Sequence, residues 1–273
     1  MPPDESITYV TQNIKINLFK SFTIAYYILG EKVYSASKEQ DCKLYADLFD
    51  AADGLKQYDL VIVDEAQDFT EDWAYSVNLL VKSNGSLYVF YDESQNIFSR
   101  SFGDRFYISS EPFVLRYNIR NTSNIYRYTQ NRTTLGMETL VNQIEGVEPV
   151  VRVLSKKQAV ISFVDSIVNK LINKEGISPK SIALLSNKRL HSSVLEGITH
   201  VCGYKLCGLG EKDENTILFS TVEEFKGLES DIIIYINHIY KNEPDTQEAR
   251  AINYTALTRA RFYLYVIDYE LKV

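Results

Sequence analysis

The sequence contains few of the residues on which several kinds of site depend. It has three cysteines, Cys42, Cys202 and Cys207, which give no paired disulfide framework and no closely spaced metal-binding pairs. A zinc site formed by His200, Cys202 and Cys207 is the minor alternative, because their spacing fits no zinc pattern and three ordinary half-buried residues account for them. No apolar run approaches the roughly 18 residues that a membrane helix needs.

Positive charge is also scarce. The chain has 29 Lys and Arg against 36 Asp and Glu, which gives a net charge of −7. A domain that binds nucleic acid with its whole surface is usually basic, so any such contact here would need a local groove or a second chain. The first residues, MPPDES, lack the basic start of a signal peptide, and we therefore expect a cytoplasmic protein.

The apolar segments alternate between strand-like and helix-like patterns. This alternation predicts an α/β fold with mainly parallel sheets covered on both faces. A boundary near Ser109 to Pro112 divides it into two lobes, whose strand ends face a shared cleft. The predicted strands are 58–64, 86–92, 111–119, 149–155, 181–187, 216–222, 231–237 and 262–269, and the predicted helices are 37–51, 66–82, 156–174 and 247–260.

Two adjacent acids, Asp64 and Glu65, end the buried-looking strand in the stretch VIVDEAQDF. Ligands of parallel sheets lie beyond the carboxyl ends of the strands. One acid at such an end suits Mg²⁺, and a neighbour that points elsewhere suits the proton of an attacking water. Alone, the pair is better explained as a strand that ends in solvent-facing acids.

Further polar residues occur in a fixed order along the chain. Gln95 lies in YDESQNIF, Arg120 in LRYNIRNTSNI, Gly227 and Glu229 in STVEEFKGLESDIII, and Arg259 in INYTALTRAR. A guanidinium grips phosphate oxygens as a fork, which suits the developing charge of phosphoryl transfer. Singly, each arginine is better explained as a surface or salt-bridge residue.

Together, and in this order, these segments resemble motifs II to VI of the UvrD/Rep-like superfamily 1 DNA helicases, over about residues 58–268. The strings DEAQD, KGLE and ALTRA are the specific ones. The resemblance implies P-loop NTPase (RecA-like) lobes with ATP between them. Residues 1–110 would be a partial first lobe, truncated at its N-terminus, with the Walker B acids and the glutamine motif. Residues 111–273 would be the second lobe, a UvrD-like C-terminal helicase domain.

The resemblance also implies a role for each matching residue. Asp64 would hold Mg²⁺ and Glu65 would be the catalytic base. The remaining residues would contact ATP: Gln95, Arg120 and Arg259 at the γ-phosphate, and Gly227 and Glu229 on the nucleotide side, with Glu229 at the ribose.

The phosphate loop of that family, G-x-x-x-x-G-K-[ST], is missing from the sequence. Its backbone N–H groups cradle phosphates, its lysine neutralises them and its hydroxyl binds Mg²⁺. Neither Gly30 nor Gly54 starts the pattern, and the nearest mimic, GYKLCGLGEK, has Leu209 in place of the lysine. We interpret that mimic as a glycine turn. The acids therefore look like one part of an ATP site.

Some of the residues with which that family contacts nucleic acid are also replaced in this sequence. Thr221 stands in the position of a weak nucleic-acid contact, but Glu223 replaces a histidine and repels phosphate. The single tryptophan, Trp73, lies on the helix after the acids, where core packing is the simpler role. Phe102 is the candidate base-stacking substitute, with a buried role equally open.

Two classes of function remain. The first is a helicase-like ATPase module, for ATP-dependent DNA unwinding or translocation, that is inactive as this chain alone because it lacks the phosphate loop. A separate chain or an upstream segment would then supply that loop, and single-stranded or duplex DNA would bind weakly. The second is a degenerate, non-catalytic helicase-like protein that binds or regulates a partner.

Overall fold

In the computed structural model the chain forms two compact units that meet in sequence between Phe113 and Val114. The structure describes residues 57–69, 71–95, 106–110, 112–115, 117–136, 138–139, 144–211, 213–240 and 244–271. The helix predicted over 37–51 and the candidate Phe102 lie outside these residues. No helix in the described ranges is long and apolar enough to cross a membrane.

The first unit is built around two parallel strands, β1 (Tyr58–Val63) and β2 (Val81–Val89). A short 3-10 helix (Ala66–Asp68) and helix α1 (Glu71–Leu79) connect them. The unit's core is formed by one face of each element: Val61, Val63, Ala66, Phe69, Ala74, Val77, Leu80 and Phe106. Parallel strands need such a crossover, and the apolar face of α1 covers the sheet.

The register of β1 on β2 shifts between Tyr58 and Leu60, which pair with Val81 and Ser86. Gly85 lies at this irregularity. A Cβ at Gly85 would lie 3.0 Å from the Tyr58 carbonyl oxygen, a tight contact that a side chain could make only if the neighbouring backbone shifted slightly. The sequence predicted that this strand starts at residue 86, whereas β2 begins at Val81. The sequence pattern contains no sign of the register shift, so it did not reveal the earlier residues of the strand.

The second unit contains a seven-stranded sheet in the order β5-β11-β10-β6-β9-β8-β7. All neighbours are parallel except β7 and β8, which form an antiparallel hairpin. Its strands are β5 (Val150–Leu154), β6 (Ile182–Ser186), β7 (His200–Val201), β8 (Tyr204–Cys207), β9 (Thr216–Thr221), β10 (Ser230–Tyr240) and β11 (Ala260–Leu271). The prediction of an α/β fold with a mainly parallel sheet is confirmed.

Three α-helices of this unit cover the sheet: α2 (Ser123–Thr133), α3 (Lys157–Asn169) and α4 (Gln247–Thr258). On one face Ile232 and Ile234 pack into a cluster with Val160 and Val164 of α3. On the other face their neighbour Ile233 packs into a cluster with residues of α2 and α4. Because both faces are buried, β10 is apolar almost throughout, and each isoleucine contributes about 1.5–3 kcal/mol.

Three parts of the second unit differ from the sequence expectation. The strand predicted over 111–119 is reduced to β3 (Tyr117–Asn118), which pairs in parallel with β4 (Glu138–Thr139). Helix α2 was not predicted, because its buried face includes polar residues. Thr129 and Thr133 satisfy their buried hydroxyls by donating to the carbonyls of Ile125 and Thr129, so they carry no hydrophobic signal.

The glycine turn predicted in GYKLCGLGEK is also more structured than expected. Gly203 has a φ of +85° and lies in the β7–β8 hairpin, which the sequence analysis did not predict. Strand β8 follows it directly, and Gly210 has a φ of +90°. The segment therefore has none of the strand–loop–helix context of a phosphate loop.

A buried ion pair fixes α2 to β11. The Arg132 guanidinium donates to both carboxylate oxygens of Asp268, one of them at 2.9 Å, and also to the Tyr128 hydroxyl at 3.0 Å. Asn237 of β10 donates to the same carboxylate at 3.0 Å. The carboxylate and its hydrogen bonds raise the pKa of Arg132 further, against the effect of burial. Removing one partner of such a pair leaves an uncompensated buried charge, which is strongly destabilising.

His238 is buried on β10 in its neutral form. Its Nε2 accepts the Val194 N–H at 2.8 Å, and its Nδ1 lies 3.1 Å from Asn187 Oδ1. Nε2 therefore has no room for a proton, and Nδ1 carries the single one. Burial, reinforced by the nearby Lys188 charge, lowers the pKa of His238 to about 4.

We expect this histidine to make the second unit sensitive to mild acid. The folded pKa lies below the ordinary value of 6.5, so the unfolded chain binds the proton first as the pH falls. The stability that depends on neutral His238 is fully present above pH about 6.5 and is lost as the pH falls toward 4. Between pH about 7.5 and about 5 we expect a loss of about 2 kcal/mol in the free energy of unfolding, measured by urea titration.

The matched variants are His238→Gln, which should flatten this part of the pH profile, and His191→Gln, an exposed histidine whose removal should leave the profile unchanged. A wild-type profile that is flat over this range would contradict the prediction.

Candidate functional site

The two predicted acids occupy the sharp turn that follows β1. Glu65 has left-handed backbone angles, φ 53° and ψ 39°, which cost a residue with a side chain about 1–2 kcal/mol. Its N–H donates to Asp64 Oδ1 at 2.9 Å. Asp64 is exposed and Glu65 is half-buried, so the two carboxylates occupy different environments. Backbone strain of this kind concentrates at functional sites, where the surrounding structure maintains it.

Gln67 links the end of β1 to the end of β2. Its side chain is fully buried. The amide donates to Glu65 Oε2 at 2.6 Å, and the amide oxygen accepts the Asp92 N–H at 3.0 Å. The sequence analysis named Gln95 but missed Gln67, although Gln67 stands in the string DEAQD, two residues after Glu65.

Gln95, the predicted phosphate sensor, is buried at the same edge of the first unit. Its amide donates to Asp92 Oδ2 at 2.6 Å, and Asp92 Oδ1 accepts the Ser94 N–H at 2.9 Å. A chain of contacts thus runs from Glu65 through Gln67 and Asp92 to Gln95. The structure brings the predicted base and the predicted sensor into one hydrogen-bonded group.

The carboxylates suit Mg²⁺ better than a transition metal. Mg²⁺ binds through one or two carboxylates together with water and phosphate oxygens, so Asp64 is sufficient as its protein ligand. Among the described residues, no group of three or more His, Cys, Asp or Glu forms a metal cage. His200, Cys202 and Cys207, all of which are described, therefore do not form the zinc alternative.

We expect Gln67→Ala to destabilise the first unit by about 2 kcal/mol, because it empties a buried position and leaves the Asp92 N–H without its acceptor. Urea unfolding followed by the fluorescence of Trp73, the single tryptophan and a residue of this unit, measures the effect. Gln57→Ala is the control, because Gln57 is exposed and donates only to the Leu79 carbonyl. Equal effects of the two variants would contradict the role assigned to Gln67.

In the second unit Glu229 lies between two arginines. Its Oε2 is 3.4 Å from Arg120 Nε, and its Oε1 is 3.7 Å from Arg261 Nε. Arg261 also reaches Asp231 at 3.4 Å. The side chains of Arg120, Glu229 and Arg261 are 43–46% exposed, so these ion pairs are weak and can exchange partners with a ligand. Arg261 was not among the predicted residues.

Arg259, the second predicted phosphate clamp, has a different environment from Arg120. It is only 2% exposed. Nε donates to the Thr255 carbonyl at 3.1 Å and Nη1 to the Leu228 carbonyl at 3.3 Å. A phosphate contact would require the guanidinium to exchange some of these acceptors for phosphate oxygens.

Gly227 and Thr221 flank the turn between β9 and β10. Gly227 has a φ of +78°, in the region that favours glycine. Thr221 is buried at the end of β9, and its hydroxyl accepts the Glu224 N–H at 3.2 Å. Glu223 beside it is half-buried.

The candidate residues lie at different ends of their strands. Asp64 and Glu65 follow β1, whereas Glu229 and Arg259 directly precede β10 and β11. The expectation that Asp64 and Gln95 share one cleft with Arg120, Glu229 and Arg259 concerns both units and stays a prediction. The side chain of Trp73 and all of Phe102 lie outside the described part of the chain.

Comparisons with known proteins point to helicases. Residues 216–267 match the family model of the UvrD-like helicase C-terminal domain. Among solved structures, the C-terminal domain of a possible DNA helicase from Lactobacillus plantarum is 20% identical, with a TM-score of 0.42 over 55% of this chain and 86% of that one. The PRRSV helicase is 16% identical, with a TM-score of 0.40 over 81% of this chain and 36% of that one. The search of curated proteins finds no match.

The sequence identities and TM-scores of these two structures are too low to support a functional assignment. Any such assignment depends on the family match. The matched segment contains Thr221, Gly227, Glu229 and Arg259, which are four of the residues selected from sequence motifs. The predicted resemblance to UvrD/Rep-like helicases is confirmed over residues 216–267, which match the UvrD-like helicase C-terminal domain.

Proposed function

We propose that the chain is a helicase-like ATPase module that provides the catalytic and charge-neutralising groups of an ATP site and couples them to DNA. The observation that carries the proposal is the hydrogen-bonded group of Glu65, Gln67, Asp92 and Gln95 at the adjacent ends of β1 and β2. A base and a polar sensor held in one rigid group suit the orientation of an attacking water. The family match of the second unit supports the same assignment.

Each residue then has a chemical role in phosphoryl transfer. Asp64 would hold Mg²⁺, which neutralises charge on the phosphate oxygens when bound. Glu65 takes a proton from the attacking water, while Gln67 fixes the direction of its carboxylate. Gln95 contacts the water or the terminal phosphate. Arg120 and Arg259 stabilise the negative charge that develops on the phosphoryl group, and Glu229 accepts a ribose hydroxyl.

The component that the sequence does not provide is the phosphate cradle. Without backbone N–H groups and a lysine around the β- and γ-phosphates, the terminal phosphate has no fixed position relative to Glu65. We infer that G-x-x-x-x-G-K-[ST] comes from an upstream segment or from a separate chain.

A non-catalytic binding or regulatory role is the second candidate, and one observation favours it. The Arg259 guanidinium is buried against backbone carbonyls of its own unit, as in a structural arginine. In that case the second unit would hold a partner without turning over nucleotide.

We expect this chain alone to release phosphate from Mg·ATP no faster than buffer does. A segment with G-x-x-x-x-G-K-[ST], fused upstream or added as a separate chain, should restore turnover, which a coupled phosphate assay measures. Glu65→Gln should then reduce the rate at least about 100-fold, because it removes the base. Glu71→Gln, an exposed glutamate at the start of α1, is the control and should change little.

Two results would each overturn one part of the proposal. Phosphate release by the chain alone, if lost in Glu65→Gln, would overturn the inference that the phosphate cradle comes from another segment, because the chain would already contain a phosphate-binding element. If the added segment is folded and binds ATP but no turnover appears, the non-catalytic candidate is favoured instead.

We expect the chain to bind single-stranded DNA weakly, with an affinity that falls steeply as salt rises. The net charge of −7 and Glu223 both oppose contact with phosphates. Glu223→Gln should raise the affinity severalfold in a fluorescence anisotropy titration at low salt, whereas Glu196→Gln, at an exposed position of the same unit, should not. Tight binding by the wild-type chain at physiological salt would contradict this prediction.

A further inference from the structure

Asn121 holds the backbone on both sides of Arg259. Its side chain is 2% exposed. The Nδ2 group donates to the Thr258 carbonyl at 2.9 Å and to the Ala260 carbonyl at 2.6 Å. Arg259 stands between these two acceptors, at the junction of α4 and β11. One amide group, more than 130 residues away in sequence, thus fixes the turn that carries this arginine.

Asn118 fixes the orientation of Asn121 and of Arg120. Its Nδ2 donates to Asn121 Oδ1 at 2.8 Å. Its own Oδ1 accepts the N–H groups of Arg120 and Asn121, both at 3.1 Å. The first bond leaves the Asn121 amide only one orientation, with its donors toward the turn. The other two hold the backbone from which the Arg120 side chain extends.

These bonds join three separate segments into one frame. The carbonyl of Arg259 accepts the Ser230 N–H at 3.0 Å, and its guanidinium donates to the Leu228 carbonyl at 3.3 Å. Glu229 lies between those two residues and pairs with Arg120 at 3.4 Å. Arg120, Glu229 and Arg259 are therefore linked through this frame. Its Asn121 bonds to the Thr258 and Ala260 carbonyls are buried, where a hydrogen bond is stronger and harder to break, whereas the Arg120–Glu229 pair is exposed.

We propose that Asn121 is a positioning residue that keeps Arg259 in register with Arg120, so that the two guanidinium groups act on the terminal phosphate as one unit. Asn118 supports it by fixing the amide. This proposal rests on the proposed function, because it assigns the phosphate as the ligand of both arginines. Asn121 itself does not touch the phosphate.

A purely structural asparagine would also be buried and hydrogen-bonded, so stability alone cannot separate the two roles. Asn124 is the matched control: it lies three residues further along, in the first turn of α2, is 5% exposed and donates to the Gly146 carbonyl at 3.2 Å. Asn124→Ala removes a comparable bond that does not lead to Arg259.

The experiment titrates the full chain, together with the added G-x-x-x-x-G-K-[ST] segment, with fluorescent analogues of ATP and of ADP in the presence of Mg²⁺. The variants are Asn121→Ala, Arg259→Ala, their double variant, Asn118→Ala and Asn124→Ala. We expect Asn121→Ala to weaken ATP binding about tenfold and ADP binding less than about twofold, because only ATP offers the terminal phosphate. The double variant should be no weaker than Arg259→Ala, because both changes remove the same contact.

Amide hydrogen exchange without nucleotide provides the second readout. Asn121→Ala should speed exchange at Ser230 and Arg259 about tenfold or more while the amides of β6 stay protected, whereas Asn124→Ala should leave these sites unchanged. If Asn121→Ala fails to fold, Asn118→Ala carries the test, with smaller effects in the same direction.

The outcomes separate this inference from the proposed function. If, with that segment present, the wild-type chain and Arg259→Ala both bind ATP and ADP equally, the proposed function fails and the phosphate role of Asn121 fails with it. If Arg259→Ala loses the preference for ATP but Asn121→Ala behaves like Asn124→Ala, only the positioning role is overturned. Additive losses in the double variant would also overturn it, because they would show that Asn121 acts independently of Arg259.

Discussion

Burial of β10 on both faces is the constraint on which the second unit depends. Ile232 and Ile234 face the cluster with α3, and Ile233 and Tyr235 face the cluster with α2 and α4. A parallel strand without solvent on either side has to satisfy its backbone within the sheet, and β6 and β11 provide those bonds. Glu229 directly precedes this strand.

Polar contacts determine where α2 lies. Its buried face includes polar residues, and Ile125 is its buried contribution to the apolar cluster shared with α4. The Arg132–Asp268 pair ties the end of the helix to β11. At the other end, Asn121 ties the residues before the helix to the start of the same strand. Such bonds are directional, so they specify one position of the helix, whereas apolar contacts tolerate small shifts.

The candidate residues of the two units are held in place by different means. In the first unit, Glu65 and Gln95 are connected through side-chain hydrogen bonds of Gln67 and Asp92. In the second unit, Arg120 and Glu229 form an exposed ion pair, while the nearby Arg259 is buried among carbonyls. The first arrangement orients groups before a ligand arrives. In the second, a phosphate can replace the exposed Arg120–Glu229 contact at low cost, whereas Arg259 would first have to give up carbonyl acceptors.

The sequence by itself determined the fold class and the order of the site residues. Alternating apolar runs marked β6, β9, β10 and β11 within one to three residues of their ends, and the strings KGLE and ALTRA marked the segment that matches the helicase family. The sequence did not predict α2, whose buried face is partly polar. It also did not predict that β2 begins at Val81 or that its pairing with β1 shifts in register. Only the tertiary structure decided the partners of Gln67, Asn121 and Arg261. Their hydrogen bonds and ion pairs join residues distant in sequence, and no local periodicity records a contact that forms only when separate segments pack together.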